Sequence, residues 1–410
     1  MSSPQVAAIA AVGVATAVFL LRRLLQVKPF IPSLKMSVHL HRIFFGAGEL
    51  FNSVEGLGRI TFDEADDNGM CQFYVMGARC ISVLKAEHIR TVVLASNFRQ
   101  RVPLFDEYVD AIVGTKSLVQ VMGHEWKLHR KLISRAFGWQ NLASMAPAMG
   151  SIAHEFASHL LATQTKSKFD VFPMLKLATL DIIGTNCNPV SHSNPQTMPS
   201  AAAHNEDASG GVTPQSFADN LLTFLFAGYD TTSIALAYTL HLLAAHPQVQ
   251  DKVVAEIQAV LGADTAPTCD TVSRLTFCAA VVTESVRLFP PSSSPCGHSK
   301  LTCTWAGTTS PKGNWGADAA AFRPERHLDE IHGKDKAFRM MAFSAGPRNC
   351  VGMRFAMMEA VIVLAVVLRR CRFSLPTDAP PVRPVVAGLV QKPEHGIWLH
   401  VQPRESAPAL

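Results

Sequence analysis

The stretch from Thr213 to His246 constrains the fold of this 410-residue chain more than any other. Thr213 can cap a helix, Pro214 fits its first turn, and Pro247 stands where it must stop. The run is roughly 33 residues, or about 50 Å at 1.5 Å per residue. Apolar residues lie nearly all round it, so the helix is expected to pass buried through a domain centre. Helical spacing also marks Lys85–Ser96, Gly123–Phe137, Leu142–Thr163, Phe172–Ile183, Gln248–Val260 and Val272–Phe289. A last long helix is expected from just after Cys350 to about Arg370, very apolar from Ala356 to Leu368. Strand signals are few. Met70–Met76 and Cys80–Val83 read as a hairpin around Gly77-Ala78-Arg79, and Gly388-Leu389-Val390 with Ile397–Val401 as a closing hairpin. The class is mainly α with a small β portion.

The N-terminus is uncharged until Arg22. Val6–Leu21, continued by Leu24, Leu25 and Val27, can cross a bilayer if the arginines snorkel. The cations Arg22, Arg23, Lys28 and Lys35 follow the apolar run, whereas a cleaved signal peptide usually carries its charge before it. That placement favours a membrane anchor over residues 1–27, with the rest of the chain on the cytoplasmic face. Residues 184–213, rich in Ser, Asn, Pro, Ala and Gly, read as a flexible linker. The nine cysteines are odd in number and include no C-x-x-C pair, which argues against a disulfide framework or structural zinc. A net charge of +5 is too small to argue for a nucleic-acid partner.

Four strings carry chemistry. In Phe343-Ser344-Ala345-Gly346-Pro347-Arg348-Asn349-Cys350-Val351-Gly352, a Gly/Pro-rich loop delivers a cysteine to the start of a long helix. Free N–H groups and partial positive charge there favour a thiolate. Gly346 and Gly352 let the backbone approach something flat, and Arg348 can neutralise a carboxylate. A lone cysteine would read instead as a buried structural residue. Glu284-Ser285-Val286-Arg287 places Glu284 and Arg287 on one helix face among apolar neighbours, a buried pair in need of more partners. Ala227-Gly228-Tyr229-Asp230-Thr231-Thr232 lies midway along the long helix. Its glycine and hydroxyl residues can open the backbone ladder, or can simply pack with back-bonded threonines. Trp126-Lys127-Leu128-His129-Arg130 puts Trp126 and Arg130 on one face of a basic helix, which also suits a partner or membrane surface.

The first string resembles the haem-binding loop of the cytochrome P450 family, F-x-x-G-x-R-x-C-x-G, at all five fixed positions. The others are similar to that family's E-x-x-R, A-G-x-D-T-T and W-x-x-x-R motifs. The resemblance implies the cytochrome P450 fold and a haem b cofactor with Cys350 as iron ligand. Thiolate ligation favours O–O cleavage. It implies haem-binding roles for Phe343, Gly346, Gly352, Trp126, Arg130 and Arg348, the last three toward the propionates. Arg326, from Phe322-Arg323-Pro324-Glu325-Arg326, is implied as the third member of a structural set with Glu284 and Arg287. Asp230 and Thr231 are implied as the acid–alcohol pair of oxygen activation, Asp230 relaying protons from solvent. His298 is weaker, because its local string is not the usual one and a surface His is the commoner case.

The family normally has several helices roofing the substrate pocket between Ile183 and Pro214. It also has a strand and a short helix where Lys312-Gly313 here abuts Asn314-Trp315-Gly316. The chain therefore reads as an internally truncated haem-thiolate domain over residues 28–405, with 184–213 in place of the missing helices. The implied activity is insertion of one atom of dioxygen into a lipophilic substrate of fatty acid, sterol or terpenoid class. Electrons would come from an NADPH-dependent flavoprotein reductase, at the endoplasmic reticulum membrane. The alternative is a truncated, catalytically inactive relative.

Overall fold

The computed structural model describes residues 69–75, 78–95, 105–165, 167–187, 213–262, 265–292, 296–297, 303–304, 315–328, 336–387 and 389–404. The expected anchor over 1–27, most of the linker and His298 lie outside them. Among the described residues no helix is long and apolar enough to cross a membrane.

Strands β1 (Met70–Val75) and β2 (Ala78–Val83) form an antiparallel hairpin. Helices α1 (Ala86–Ala95), α2 (Phe105–Val113), α3 (Gly123–Ala136) and α4 (Trp139–Thr163) follow. After β3 (Phe169–Asp170) comes α5 (Val171–Cys187), then the central helix α6 (Pro214–Ala245). Then follow α7 (Pro247–Leu261), α8 (Cys269–Arg274), α9 (Thr276–Leu288), and the two-residue strands β4 (Cys296–Gly297) and β5 (Cys303–Thr304). The short α10 (Lys336–Arg339) precedes the cysteine loop, and α11 (Met353–Arg370) leaves it. Strands β6 (Cys371–Ser374), β7 (Pro384–Ala387), β8 (Val390–Pro393) and β9 (Trp398–Pro403) close the chain.

The class is mainly helical with a small sheet portion, and the central helix lies where its apolar surface requires. Thr213 caps it by accepting from the Ser216 N–H, and Ile234, Ala237, Tyr238 and Leu243 are wholly buried along it. Its core continues into α4, α5, α7, α9 and α11. In α11, Ala360 to Leu368 are buried without a break. A helix apolar on every side must be surrounded, and α4, α6, α7 and α9 do so.

Several expectations need correction. Residues 184–187 belong to α5 rather than to the linker, because Asn186, a polar residue with no apolar signal, is buried on the helix and its side-chain amide donates back to the Ile182 carbonyl. Val272–Phe289 is not one helix. Leu275 ends α8 and precedes α9, and Glu256 of α7 accepts the Phe277 and Cys278 N–H groups at the new start. The closing hairpin pairs differently: β8 returns on β7, while β9 runs between β3 and β6. Alternation along β9 shows which face is buried but not which strand lies beside it.

Candidate functional site

A cavity of about 410 Å³ opens between the middle of α6 and the cysteine loop. The α6 wall is Ala227, Gly228, Thr231, Thr232 and Ala235. The opposite wall is Phe343, Asn349, Cys350 and Gly352, with Trp126, Arg130 and Arg348 at one side. Three of the four motifs, far apart in sequence, thus meet on one largely apolar space.

The loop is held by its own backbone. Cys350 N–H donates to the Phe343 carbonyl at 2.8 Å, and Ser344 N–H to Met341 at 2.8 Å. Ser344 takes a positive φ of 56°, a strained conformation for a residue with a side chain. Gly346 also has positive φ, 71°, and a Cβ there would lie 2.6 Å from Val93 of α1. Gly346 is thus required by its turn and by α1, and it does not line the cavity. Gly352 does line it, and a Cβ there would meet nothing closer than 3.8 Å.

Arg130 donates to the Asn349 carbonyl at 2.7 Å and to its side-chain oxygen at 2.5 Å, which ties α3 to the residue before the cysteine. The Arg348 guanidinium stacks on Trp126 at 4.4 Å and donates to the Val121 carbonyl at 3.0 Å. Trp126, Arg130 and Arg348 are therefore placed at one edge of the cavity, with two guanidiniums among apolar walls.

Cys350 is a free thiol exposed onto the cavity. Surrounding protein pushes its pKa up, while the Gly352 N–H and the Arg130 charge pull it down. The expected stabilisation by the helix start is weaker than the sequence suggests. α11 begins only at Met353, after Gly352, so a single N–H reaches the sulfur. A cation bonded to the sulfur would tip the balance to thiolate. An accessible soft donor, an apolar slot and two guanidiniums in its lining are of the chemistry that haem b requires: Cys350 would hold the iron, and Trp126, Arg130 and Arg348 would face its carboxylates.

The acid–alcohol pair is divided. α6 runs unbroken through Gly228, so its ladder is not opened there. A Cβ on Gly228 would lie 2.9 Å from Ile183, so this glycine lets α5 pack against α6. Thr231 lines the cavity, but its hydroxyl donates to the Ala227 carbonyl at 2.5 Å. Asp230 does not line the cavity. It is buried and ion-paired with Lys176 of α5 at 2.8 Å, and Thr179 donates to the Tyr229 carbonyl beside it.

The structural set is assembled away from the cavity. Glu284 accepts from Arg287 at 2.7 and 2.8 Å, from Arg326 at 2.9 Å and from the Arg323 N–H at 3.0 Å. His327 approaches its other oxygen at 2.7 Å. Burial alone would raise the Glu284 pKa, but these bonds hold it at about 2. Sequence reasoning missed His327, Lys176, Asn349 and Val93, because none occupies a fixed motif position. It also missed Glu359, whose signal was a lone carboxyl inside the apolar run Ala356–Leu368.

The fold and the site define a mainly helical protein with a free cysteine facing a largely apolar cavity. A model of the family described as Cytochrome P450 matches residues 67–188, 195–314 and 295–400. The chain belongs to the cytochrome P450 family. It is 36% identical over 204 residues to a cytokinin hydroxylase of Arabidopsis thaliana, covering 46% of this chain and 39% of that protein. It is 33% identical over 223 residues to cytochrome P450 3A41 of Mus musculus, covering 50% and 44%. Cytochrome P450 4c3 of Drosophila melanogaster is 28% identical over 332 residues, covering 73% and 58%. The chain spans about 39% to 58% of the length of these relatives.

Proposed function

We propose that the chain is a haem-thiolate monooxygenase that inserts one atom of dioxygen into a lipophilic substrate. Cys350 in the cavity wall is the observation that carries this reading. When bound there, haem supplies the oxygen-activating chemistry. The protein's share is placement. The loop from Phe343 to Cys350 presents the sulfur, Arg130 fixes that loop through Asn349, and Trp126 and Arg348 stack at the edge. The apolar walls suit a fatty acid, sterol or terpenoid. Lys127 and Lys131 on basic α3 suit docking of an NADPH-dependent flavoprotein reductase. In this reading residues 1–27 anchor the chain in the endoplasmic reticulum membrane, and residues 28–405 form one haem-thiolate domain facing the cytoplasm.

A ferrous–carbon monoxide difference spectrum of the full chain tests the ligand. The thiolate-type Soret band is expected in the wild type and lost in Cys350→Ala. Retention of the band by that variant overturns the assignment. Turnover with a reductase then separates an active enzyme from an inactive relative that keeps the ligand.

A further inference from the structure

Residues 114–122 join α2 to α3 without forming helix or strand. They contribute Leu118 and Val119 to the cavity lining, Leu118 buried and Val119 exposed. Within the segment, the Gln120 and Val121 N–H groups donate to the Ser117 carbonyl at 2.9 Å. Those bonds close a turn but do not place it against the rest of the protein. Its position is set by the groups that reach it from neighbouring elements.

Two consecutive residues of α6 supply the main ties. Asp219 accepts the Lys116 N–H at 2.8 Å, and the Asn220 side-chain oxygen accepts the Leu118 N–H at 2.8 Å. Both side chains are buried and are themselves held. Gln215 donates to the other Asp219 oxygen at 2.7 Å, and the Asn220 amide donates to the Ser216 carbonyl at 2.6 Å. Both Asp219 oxygens thus accept, a pattern a carboxylate meets and an amide cannot. Gly114 completes the fit. Its φ is +77°, and a Cβ there would lie 2.1 Å from the Asp219 carboxyl carbon. The chain crosses directly over the carboxylate, and only glycine allows both the turn and the approach.

The far end of the segment is tied elsewhere. Val121 accepts from Arg348 of the cysteine loop at 3.0 Å, and the Gln120 amide donates to the Asp106 carbonyl of α2 at 3.0 Å. Leu118 and Val119 therefore stand between a tie to α6 and a tie to the cysteine loop. Asp219 and Asn220 are not in the cavity lining, which takes Thr223 and Phe224 from the next turn of α6.

We propose that Asp219 and Asn220 are positioning residues for substrate selection: by clamping the Lys116 and Leu118 N–H groups they hold Leu118 and Val119 as a fixed wall of the cavity. Apolar recognition depends on such a wall, because a gap of about 0.5–1 Å already forfeits a quarter to a half of the contact attraction. Releasing the clamp strands the Lys116 N–H and the Gln215 amide and lets the wall retreat. A narrow ligand then loses the contact, whereas a bulky one spans the gap. The effect falls on ligand preference and not on the sulfur, whose loop keeps its own bonds. The role in selection rests on the haem-thiolate reading; the clamp itself does not.

Two measurements on the full chain test this. Amide hydrogen exchange reads the clamp without any ligand. The Lys116 and Leu118 N–H groups should be protected in the wild type, and Lys116 should exchange about tenfold faster or more in Asp219→Ala, as should Leu118 in Asn220→Ala. Soret titration of the haem-loaded protein reads selection with two iron-binding probes, narrow n-octylimidazole and bulky triphenylmethylimidazole. Asp219→Ala should weaken the narrow probe about tenfold, the scale of one lost methylene contact, and the bulky probe by about twofold or less. Asp219→Asn, which keeps the shape and one acceptor, should fall between, and the thiolate Soret band should be unchanged in all three variants. Unprotected wild-type amides, or equal weakening of both probes, overturns the proposal, the second because a merely structural pair would not sort ligands by width. The wild-type exchange needs no variant and Asp219→Asn is mild, so misfolding of one alanine variant does not hide the answer. Protected amides in a chain with no thiolate spectrum sink the haem reading, and the selection role with it, while sparing the clamp; a thiolate spectrum with unprotected amides sinks the clamp alone.

Discussion

Glu284 on α9 and Glu359 on α11 are both wholly inaccessible to solvent, on helices that pack together, and the fold handles them in opposite ways. Glu284 is charged and has all its lone-pair demand met by Arg287, Arg326, His327 and the Arg323 N–H. Among the described residues Glu359 has no cation, and Thr232 is the polar group beside it. Burial pushes both pKa values upward; only at Glu284 do the partners overturn it. One carboxyl is a joint that fastens the 315–328 segment to α9. The other has no counter-ion among the described residues, and burial decides its state. The same residue type in the same kind of surroundings does two jobs, and the neighbours decide which.

The largest expected effect sharpens the first half of this contrast. Glu284→Ala leaves Arg287 and Arg326 buried without their anion, and removing one partner of such a set costs about 3–5 kcal/mol. Against a total stability of about 5–15 kcal/mol for a domain, that is a loss visible in any urea titration. A variant within about 1 kcal/mol of wild type would break the contrast.

Acid should act on the two residues with opposite sign. The folded pKa of Glu284 is about 2, below its ordinary value of 4.5, so its stabilisation is complete above pH 4.5 and lost as pH falls toward 2. Glu359 is raised, so its contribution is greatest below 4.5 and declines as pH rises toward its folded value. The stability gap between wild type and Glu284→Gln should therefore narrow as pH falls below 4.5. A gap that widens with acid contradicts the charged state assigned to Glu284.

What the sequence disclosed follows the same division. Glu284 and Arg287 were readable because three-residue spacing puts them on one helix face, and Arg326 because its short string is distinctive. The Cys350 loop was readable as a string of fixed residues, and the central helix as an apolar surface with caps. Contacts made by residues at no fixed spacing were not readable. Lys176 reaches Asp230 from another helix, and Val93 presses on Gly346 from the first. The pairing of β9 with β3 and β6 depends on a register that alternation does not specify. The lone Glu359 could have been noticed as a polar residue in an apolar run, but its lack of a partner is a property of three dimensions.

The smallest effect on stability is the most discriminating. If Glu359 is neutral in the folded protein, Glu359→Gln exchanges one uncharged group for another of nearly the same shape. Stability at neutral pH should change by no more than about 1 kcal/mol, the scale of one hydrogen bond. Glu359→Leu goes further, removing a carboxyl that must be kept protonated at neutral pH while the unfolded chain ionises it freely. That substitution should leave the protein as stable as wild type or more so, the reverse of Glu284→Ala. Urea midpoints of the two variants, measured together at neutral pH, decide the point. A loss of about 3 kcal/mol or more in both Glu359 variants would mean that Glu359 carries charge and has a partner after all. A stable Glu359→Leu protein shows that the core does not need this carboxyl.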